Sequence, residues 1–282
     1  MRATRGASLA TGGLALRLGK ATLALNAFAL FAFLYVPILI LIIFSFNDTR
    51  TVARLTGLSL EWYTKLIHNR DLLAAARNSL LIALSSTIVS TILGTLTALG
   101  MDRFRFRLRS AFDAVLYLPI VIPEIVMGIS LLLFFNLAFF PVIELASGAK
   151  LTLGLPTILI SHIAFNIPFV YVVVRARLVG FDRTMEEAAR DLGANEWRTF
   201  WRVTFPILLP GILGGALLAF TLSLDDYLVT VFTAGTASPT MPLYIYSLVR
   251  KGVTPEINAL STVLLLASMG LVVLSLAAQR RE

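Results

Sequence analysis

Cysteine is absent from this 282-residue chain, which excludes disulfide bonds, thiolate metal sites and cysteine nucleophiles. Charged residues are scarce as well. They make up 14% of the chain, against roughly 25% in a typical soluble domain. Hydrophobic residues make up 57%, and the mean hydropathy is +0.84. This composition excludes an ordinary water-soluble domain and is typical of a protein with several membrane spans.

A phosphate-binding loop is also missing. The nearest approach runs from Gly13 to Ala21, but it has one residue too many, and Ala21 stands where Ser or Thr should bind magnesium. No nucleophile–base pair and no ligand cluster with zinc spacing is visible in the sequence. We therefore expect no catalytic residue, no metal site and no cofactor bound by this chain, so that any energy from ATP must come from a partner.

Six stretches are long and apolar enough to cross the hydrocarbon core, which takes about 20 residues. They lie at 23–46, 78–99, 111–140, 155–178, 209–232 and 257–278. Pro119 and Pro123 interrupt the third stretch and Pro168 lies inside the fourth, so we expect breaks or kinks there. The sequence predicts an all-α membrane protein with six transmembrane helices. The six-span domain at 23–278 lies between an N-terminal segment, 1–22, and a short tail, 279–282.

The basic residues indicate the orientation of the chain. They give a net charge of +8, but they are scattered between apolar runs and form no basic domain, which argues against nucleic acid as a partner. With the N-terminus inside, 16 of the 24 Lys and Arg residues fall on inner segments, as the positive-inside rule requires. We expect a multi-pass protein of the bacterial inner membrane, surrounded by lipid, with both termini cytoplasmic.

The polar stretch between the fourth and fifth spans carries the clearest functional pattern. We expect a helix over 184–192 that ends at Gly193 in a left-handed conformation. A second short helix should begin near Asn195, its N-cap, and end at Pro206. Glu187, followed by two small alanines, can enter a groove and pair there with a basic residue. The alternative is an ordinary amphipathic loop at the membrane surface.

The spacing of Glu-Ala-Ala, a following glycine and a later proline resembles the EAA loop of ABC-importer permeases. Here the loop covers about 179–208, and Phe205 stands where the family usually has Leu. The resemblance implies that this loop forms a coupling helix, which docks in a groove on a cytoplasmic ATPase subunit. The residues that it assigns to this coupling are Glu187, Ala188, Ala189, Asp191, Gly193, Ala194 and Pro206.

Other segments, among them 104–107, 177–182 and 220–226, resemble polyamine-importer permeases of the PotC type, which transport spermidine and putrescine. The resemblance implies the fold of type I (MetI-like) ABC-importer permeases. It also implies the partners: a second, homologous permease subunit, two ATPase subunits that carry the ATP and magnesium, and a periplasmic substrate-binding protein.

Three carboxylates, those of Glu124, Asp225 and Asp226, lie inside predicted spans. Each costs about 2.5–3.5 kcal/mol on insertion scales, and such residues usually face a water-filled path or a partner. Together with Tyr227, a possible cation–π contact, and Asn166, they form the predicted substrate path for a cation. The alternative is that Asp225 and Asp226 cap a helix break or pair with a partner permease, and that Asn166 serves packing.

The leading interpretation is a permease subunit that couples ATP hydrolysis in a partner to alternating access for polyamines. Two alternatives are also transport proteins: an ABC permease for another cationic or small organic solute, and a self-sufficient secondary transporter or channel. A third is a membrane scaffold. A secondary transporter does not need a coupling loop, and a scaffold leaves the three intramembrane acids unexplained.

Overall fold

A computed structural model describes residues 4–49, 54–236, 238–252 and 254–279, with side chains from residue 19 to residue 270 of those ranges. The outermost residues of the two predicted tails, 1–3 and 280–282, lie outside this description.

The described residues contain no strand, only an isolated antiparallel bridge between Asn47 and Leu58. The predicted all-α class is confirmed. In chain order the helices are α1 (Thr4–Phe44), α2 (Glu61–His68), α3 (Arg70–Arg103), α4 (Arg109–Val121), α5 (Glu124–Phe134), α6 (Phe140–Ser147), α7 (Leu155–Val179), α8 (Thr184–Asp191), α9 (Glu196–Thr199), α10 (Phe205–Asp225), α11 (Leu228–Thr233), α12 (Met241–Lys251) and α13 (Pro255–Gln279).

Within the described residues, five helical stretches are long and apolar enough to cross a membrane: Gly19–Phe44, Arg70–Arg103, Glu124–Ser147, Leu155–Val179 and Glu196–Asp225. Each overlaps one of the first five predicted spans. The sixth predicted span, 257–278, falls within α13, whose side chains are described only as far as Gly270. The count of six spans therefore remains a prediction.

The third predicted span is broken, as its prolines indicate. Helix α4 continues through Pro119 and ends at Val121, and α5 begins at Glu124 with Pro123 as its N-cap residue. Pro123 has no N–H to continue the helix, and it forces the residue before it into an extended conformation. From Glu124 the chain stays helical to Ser147 through a π-helical turn, Phe135–Phe139.

The fifth predicted span differs from the structure at both ends. The helical stretch begins at Glu196 and ends at Asp225, so the continuous crossing expected over 209–232 is wrong. Asp226 has an extended backbone, with φ −67° and ψ 122°, and a new short helix, α11, follows. The average hydropathy of this stretch hides the break, because the segments before Asp225 and after Tyr227 are mostly apolar.

The chain divides into two compact units, residues 1–69 with 248–282 and residues 70–247. In the first unit α13 packs against α1 and α2. The indole Nε1 of Trp62 donates to the carbonyl of Asn47, 2.7 Å away, and the Ser45 and Tyr63 hydroxyls lie 2.6 Å apart. These contacts hold α2 against the end of α1.

The core of the second unit is a three-helix cluster of α3, α7 and α10. Gly94 marks the closest approach of α3 to α7, since a Cβ at this position would lie 2.7 Å from the Cβ of Val170 and 3.0 Å from the carbonyl oxygen of Ile167. Gly215 of α10 meets the same valine from the other side, with 3.3 Å between its ideal Cβ and Val170 Cγ1. Small residues thus let three backbones approach closely, as in many membrane bundles.

Candidate functional site

The first half of the EAA segment, which we define as residues 184–206, folds as its sequence predicts. Helix α8 covers Thr184–Asp191. Just before it, Asp182 Oδ1 accepts the backbone N–H of Thr184 at 3.0 Å, and this bond holds the pKa of that carboxyl below its usual value. The helix ends at Gly193, whose φ of +83° lies in the left-handed region. The predicted helix and its glycine cap are confirmed.

The second half of the segment departs from the prediction in one respect. Asn195 is the N-cap of α9, and its Oδ1 accepts the N–H of Arg198 at 2.9 Å, as expected. The helix does not end at Pro206, however. It continues through a π-helical turn, Phe200–Thr204, into α10, where Pro206 occupies the first turn. The wider π-turn changes the hydrogen-bond register just before the proline, so that its missing N–H does not end the helix.

Glu186 joins the EAA segment to the membrane-spanning core. Its side chain is buried, and its Oε1 accepts 2.6 Å from Nη2 of Arg103, the last residue of α3. The same oxygen accepts the hydroxyl of Thr204, the last residue of the π-turn before α10. Arg190 Nη2 lies 3.9 Å from the other carboxylate oxygen. One carboxylate therefore connects α3, α8 and the start of α10.

Sequence reasoning missed Glu186, because its main partner lies 83 positions away in the chain and no local pattern connects the two. A second ion pair lies beside it: Arg183 Nη2 is 2.8 Å from Asp102 Oδ2. Both partners of this second pair are partly exposed, and exposed pairs of this kind contribute about 0–1 kcal/mol. The buried carboxylate is therefore the stronger of the two connections.

The residues predicted to couple to an ATPase lie on the surface of the segment. Glu187, Ala188, Asp191 and Gly193 are exposed, and Ala189 and Ala194 are partly exposed. No hydrogen bond or ion pair holds the Glu187 carboxylate among the described residues. It borders a cavity of about 180 Å³ that is lined mainly by charged residues, including Asp102, Arg103, Arg183, Glu186 and Arg190.

Large apolar side chains are exposed on both halves of the same segment. Met185 exposes 54% of its surface, Leu192 90% and Trp197 70%. Trp197 packs edge to face with Trp201, with ring centroids 5.6 Å apart. Exposed apolar groups that lie among polar ones mark sites of contact with a protein or a membrane. The segment thus combines a fixed inner side with an uncovered outer side.

The predicted substrate-path carboxylates fall into two kinds. Glu124, in the first turn of α5, and Asp225, the last residue of α10, are exposed. Gly128 of α5 packs against the carbonyl of Leu228, since a Cβ there would lie 3.0 Å from that oxygen. One helical turn is about 5.4 Å, so this contact brings the first turn of α5 close to the break that carries Asp225.

Asp226, in contrast, is buried and fully engaged. Its Oδ1 accepts the N–H of Val229 at 3.2 Å, and its Oδ2 accepts the N–H and the hydroxyl of Thr230 at 2.8 and 2.6 Å. His162 Nε2 of α7 lies 3.2 Å from the same Oδ2. The carboxylate therefore caps α11 and connects the helix break to α7. This geometry agrees with the capping alternative for Asp226.

The network around His162 extends to α3. His162 Nδ1 lies 2.7 Å from the hydroxyl of Ser223, which in turn is 2.9 Å from the hydroxyl of Ser86. Asn166, one turn further along α7, is fully buried, and its amide has no hydrogen-bond partner among the described residues. Tyr227 packs against Tyr246, with ring centroids 4.6 Å apart. The structure thus separates the buried Asn166 and Asp226 from the exposed Glu124 and Asp225.

The sequence of this chain matches a family of transport proteins. Residues 90–281 match the family described as "Binding-protein-dependent transport system inner membrane component". The spermidine/putrescine transport system permease protein PotC of Escherichia coli is 42% identical over 247 residues, 88% of this chain and 89% of that protein. The PotC protein of Haemophilus influenzae is 42% identical over 88% of this chain and 92% of its own length. The putrescine transport system permease protein PotI of E. coli is 41% identical over 86% and 84%.

Solved structures share the fold at lower identity. A bacterial ABC transporter that imports the acidic polysaccharide alginate matches with a TM-score of 0.76 and 18% identity, over 94% of this chain and 95% of that one. The same kind of transporter in complex with a pentasaccharide-bound periplasmic protein gives a TM-score of 0.71 at 18% identity, over 88% of each chain. At this level of identity these likenesses establish the fold alone.

Proposed function

Since this chain belongs to the binding-protein-dependent transport inner membrane family, and within it to the PotC and PotI permeases, we propose that it is the membrane-spanning subunit of a polyamine importer. The chain is a transport subunit rather than an enzyme. We propose a complex with a second, homologous permease, two ATPase subunits and a periplasmic binding protein. In that complex the chain crosses the bacterial inner membrane six times, with both termini in the cytoplasm.

The observation that carries the coupling role is the geometry of the EAA segment. Its inner side is held by Glu186, whereas its outer side presents Met185, Leu192 and an unpaired Glu187. Exposed apolar side chains can form the centre of a docking surface, and a free carboxylate at its edge can pair with a basic residue of the partner. We assign ATPase contact to this surface, which Gly193 divides by turning the chain between α8 and α9.

Two of the predicted path residues are accessible to a cation in this conformation. The carboxylates of Glu124 and Asp225 are exposed, and negative groups lower the electrostatic barrier for an ammonium group that enters a low-dielectric region. Tyr227 adds an aromatic ring beside Asp225, where a cation–π contact stabilises an ammonium. We propose that these three groups line the path, and that Asp226 and Asn166 support them from the buried side.

Spermidine and putrescine are the substrates in the names of the relatives. Both are polyamines, and their positive charges fit the exposed carboxylates. An uncharged solute would gain nothing from these acids. The periplasmic protein seen with a fold neighbour supports delivery of the substrate by a separate binding protein.

Reconstitution into liposomes tests the proposal. The chain alone should transport no radiolabelled spermidine, whereas the complete complex with ATP and the loaded binding protein should accumulate it. A complex assembled with an ATPase subunit that cannot hydrolyse ATP is the control and should be inactive. Uptake by the chain alone, or by the control complex, contradicts the coupling role. ATP-dependent uptake of another solute with none of spermidine or putrescine contradicts the substrate assignment.

A further inference from the structure

Two adjacent glutamates in the EAA segment have opposite environments. Glu187 is exposed, whereas only 7% of the surface of Glu186 is exposed. A buried carboxylate is retained only where charged or polar partners compensate for its lost hydration. Glu186 has such partners in Arg103 and Thr204, which share its Oε1, and in Arg190. This difference gives the two residues different tasks.

The partners of Glu186 lie at the ends of two long helices. Arg103 is the last residue of α3, and Thr204 directly precedes α10. These two helices form the core of their unit together with α7. The Glu186 carboxylate therefore links α8 to α3 and to the start of α10 at the same time.

Without this carboxylate, α8 would be attached less firmly. The chain enters α8 through residues 180–183, where Asp102 and Arg183 form an exposed ion pair, and leaves it at Gly193, whose φ is +83°. Exposed ion pairs are weak, and glycine restricts the backbone less than any other residue. Of the ion pairs that connect this region to the end of α3 among the described residues, the buried one through Glu186 is therefore the stronger.

We propose that Glu186 is a positioning residue for ATP coupling: it makes α8 move as one body with α3 and α10, while Glu187 contacts the ATPase. The inference rests on the proposed function, since it assumes that an ATPase acts on the EAA segment. It assigns the transfer of movement inside the permease to a residue outside the Glu-Ala-Ala triplet itself.

The test compares three single variants in the complete complex: Glu186→Ala, Glu186→Gln and Glu144→Gln. Glu144 is an exposed glutamate of α6, outside the EAA segment, and serves as the control. The measured quantity is the number of spermidine molecules transported per ATP hydrolysed, with co-purification of the ATPase as the check on assembly. We expect Glu186→Ala to assemble but to lose at least tenfold in this ratio. Glu186→Gln, which keeps the shape and one acceptor, should recover part of the loss, and Glu144→Gln should resemble the unmodified chain.

Spin labels provide a second measurement that does not depend on transport. The chain has no cysteine, so Thr184→Cys on α8 and Leu96→Cys on α3, both exposed, give a single labelled pair on this chain. The distance distribution between the labels should be narrow in the assembled complex and should broaden clearly with Glu186→Ala. An equally narrow distribution, or an unchanged transport ratio in Glu186→Ala, overturns the proposal.

If Glu186→Ala fails to assemble, the double variant Arg103→Glu with Glu186→Arg, which exchanges the two charges, distinguishes a positioning role from a role in folding. Recovery of assembly and of at least half the transport ratio supports the proposal, whereas an assembled pair that stays uncoupled overturns it. If the pair also fails to assemble, Glu186 is required for folding rather than positioning, and the proposal is overturned. Failure of the proposed function looks different: substitutions at Gly193 and Glu187 would then also leave ATPase stimulation unchanged.

Discussion

The molecule contains two pairs of adjacent carboxylates, Glu186–Glu187 in the EAA segment and Asp225–Asp226 at the end of α10. In each pair one member is buried and bonded to distant helices, and the other is exposed. Glu186 bonds to Arg103 and Thr204, and Asp226 bonds to Thr230 and His162. The comparison shows one arrangement used twice: a buried acid fixes the backbone, and its neighbour is left free to contact something else.

The largest effect is expected on stability, at the buried acid of the second pair. Asp226→Ala leaves two backbone N–H groups of α11 without their acceptor and removes the carboxylate beside His162, whose Nε2 keeps the Thr230 hydroxyl 2.9 Å away. A buried donor left without a partner typically costs about 1–3 kcal/mol. We expect a matching loss in the free energy of unfolding, measured by denaturation in detergent micelles. Asp225→Ala, the control one residue away, should change it by less than about 0.5 kcal/mol; equal losses would remove the distinction within this pair.

Each carboxylate pair also lies near a point where a helix ends: Gly193 follows α8, and Asp226 follows α10. A proline at position 193, Gly193→Pro, cannot adopt the observed φ of +83°, because proline fixes φ at about −65°. We expect the complex to fold but to lose the stimulation of its ATPase by loaded binding protein. Gly193→Asn is the matched control, since asparagine tolerates the left-handed conformation and a Cβ here meets nothing within 4 Å. Unchanged stimulation in the proline variant would show that the turn is not needed for coupling.

A smaller effect is expected on the substrate, at the exposed acid of the second pair. Asp225→Asn removes one negative charge from the proposed path without disturbing the contacts of Asp226. A partly exposed charge contributes about 1 kcal/mol to such an interaction, equivalent to roughly fivefold in an equilibrium constant. We expect the spermidine concentration for half-maximal uptake by the complex to rise by about that factor, with ATPase co-purification unchanged. Uptake equal to that of the unmodified complex would take Asp225 out of the path.

The smallest effect is expected at Glu187. Glu187→Gln removes a charge that makes no ion pair among the described residues, so the stability of the isolated chain should not change. Its association with the ATPase subunit should weaken by about two- to fivefold, as for a pair at the edge of an interface. The difference should shrink as salt rises, because ions screen such a pair. Titration of the labelled ATPase subunit at low and high salt measures the loss of affinity and its dependence on salt. A loss of affinity in Glu187→Gln that does not change with salt would argue against an ion pair.

The parts of the EAA segment that were predictable depend on local rules. A glycine after an amphipathic helix predicts a left-handed cap, and an asparagine before a charged turn predicts an N-cap; Gly193 and Asn195 confirm both. Pro206 was misleading because a proline ends a helix only when its missing N–H is needed. In the π-turn before Pro206 the hydrogen-bond register changes, so the helix does not need an N–H from the proline. Local sequence rules do not detect such a turn.

The buried halves of the carboxylate pairs were not predictable, for a different reason. Glu186 is distinguished from Glu187 by a partner 83 positions away. Capping of a helix break was an alternative for both Asp225 and Asp226, and a local pattern could not choose between them because adjacent acids look alike. The intramembrane acids drew attention to the region of the helix break, but burial alone decides which of them supports the fold. Asp226 also ends the helix within an apolar stretch, which is why the fifth crossing was expected to extend to residue 232.

The central claim is that a separate ATPase subunit covers the outer face of the EAA segment, and maleimide labelling of a cysteine introduced at Leu192 tests it most directly. Leu192 is 90% exposed in the isolated chain, and the absence of native cysteine makes the label specific. The account predicts fast labelling of the isolated permease and strong protection in the complex with the ATPase, whereas a cysteine at the exposed Ala149 labels equally in both. Equal labelling of Leu192→Cys with and without the ATPase would contradict the account.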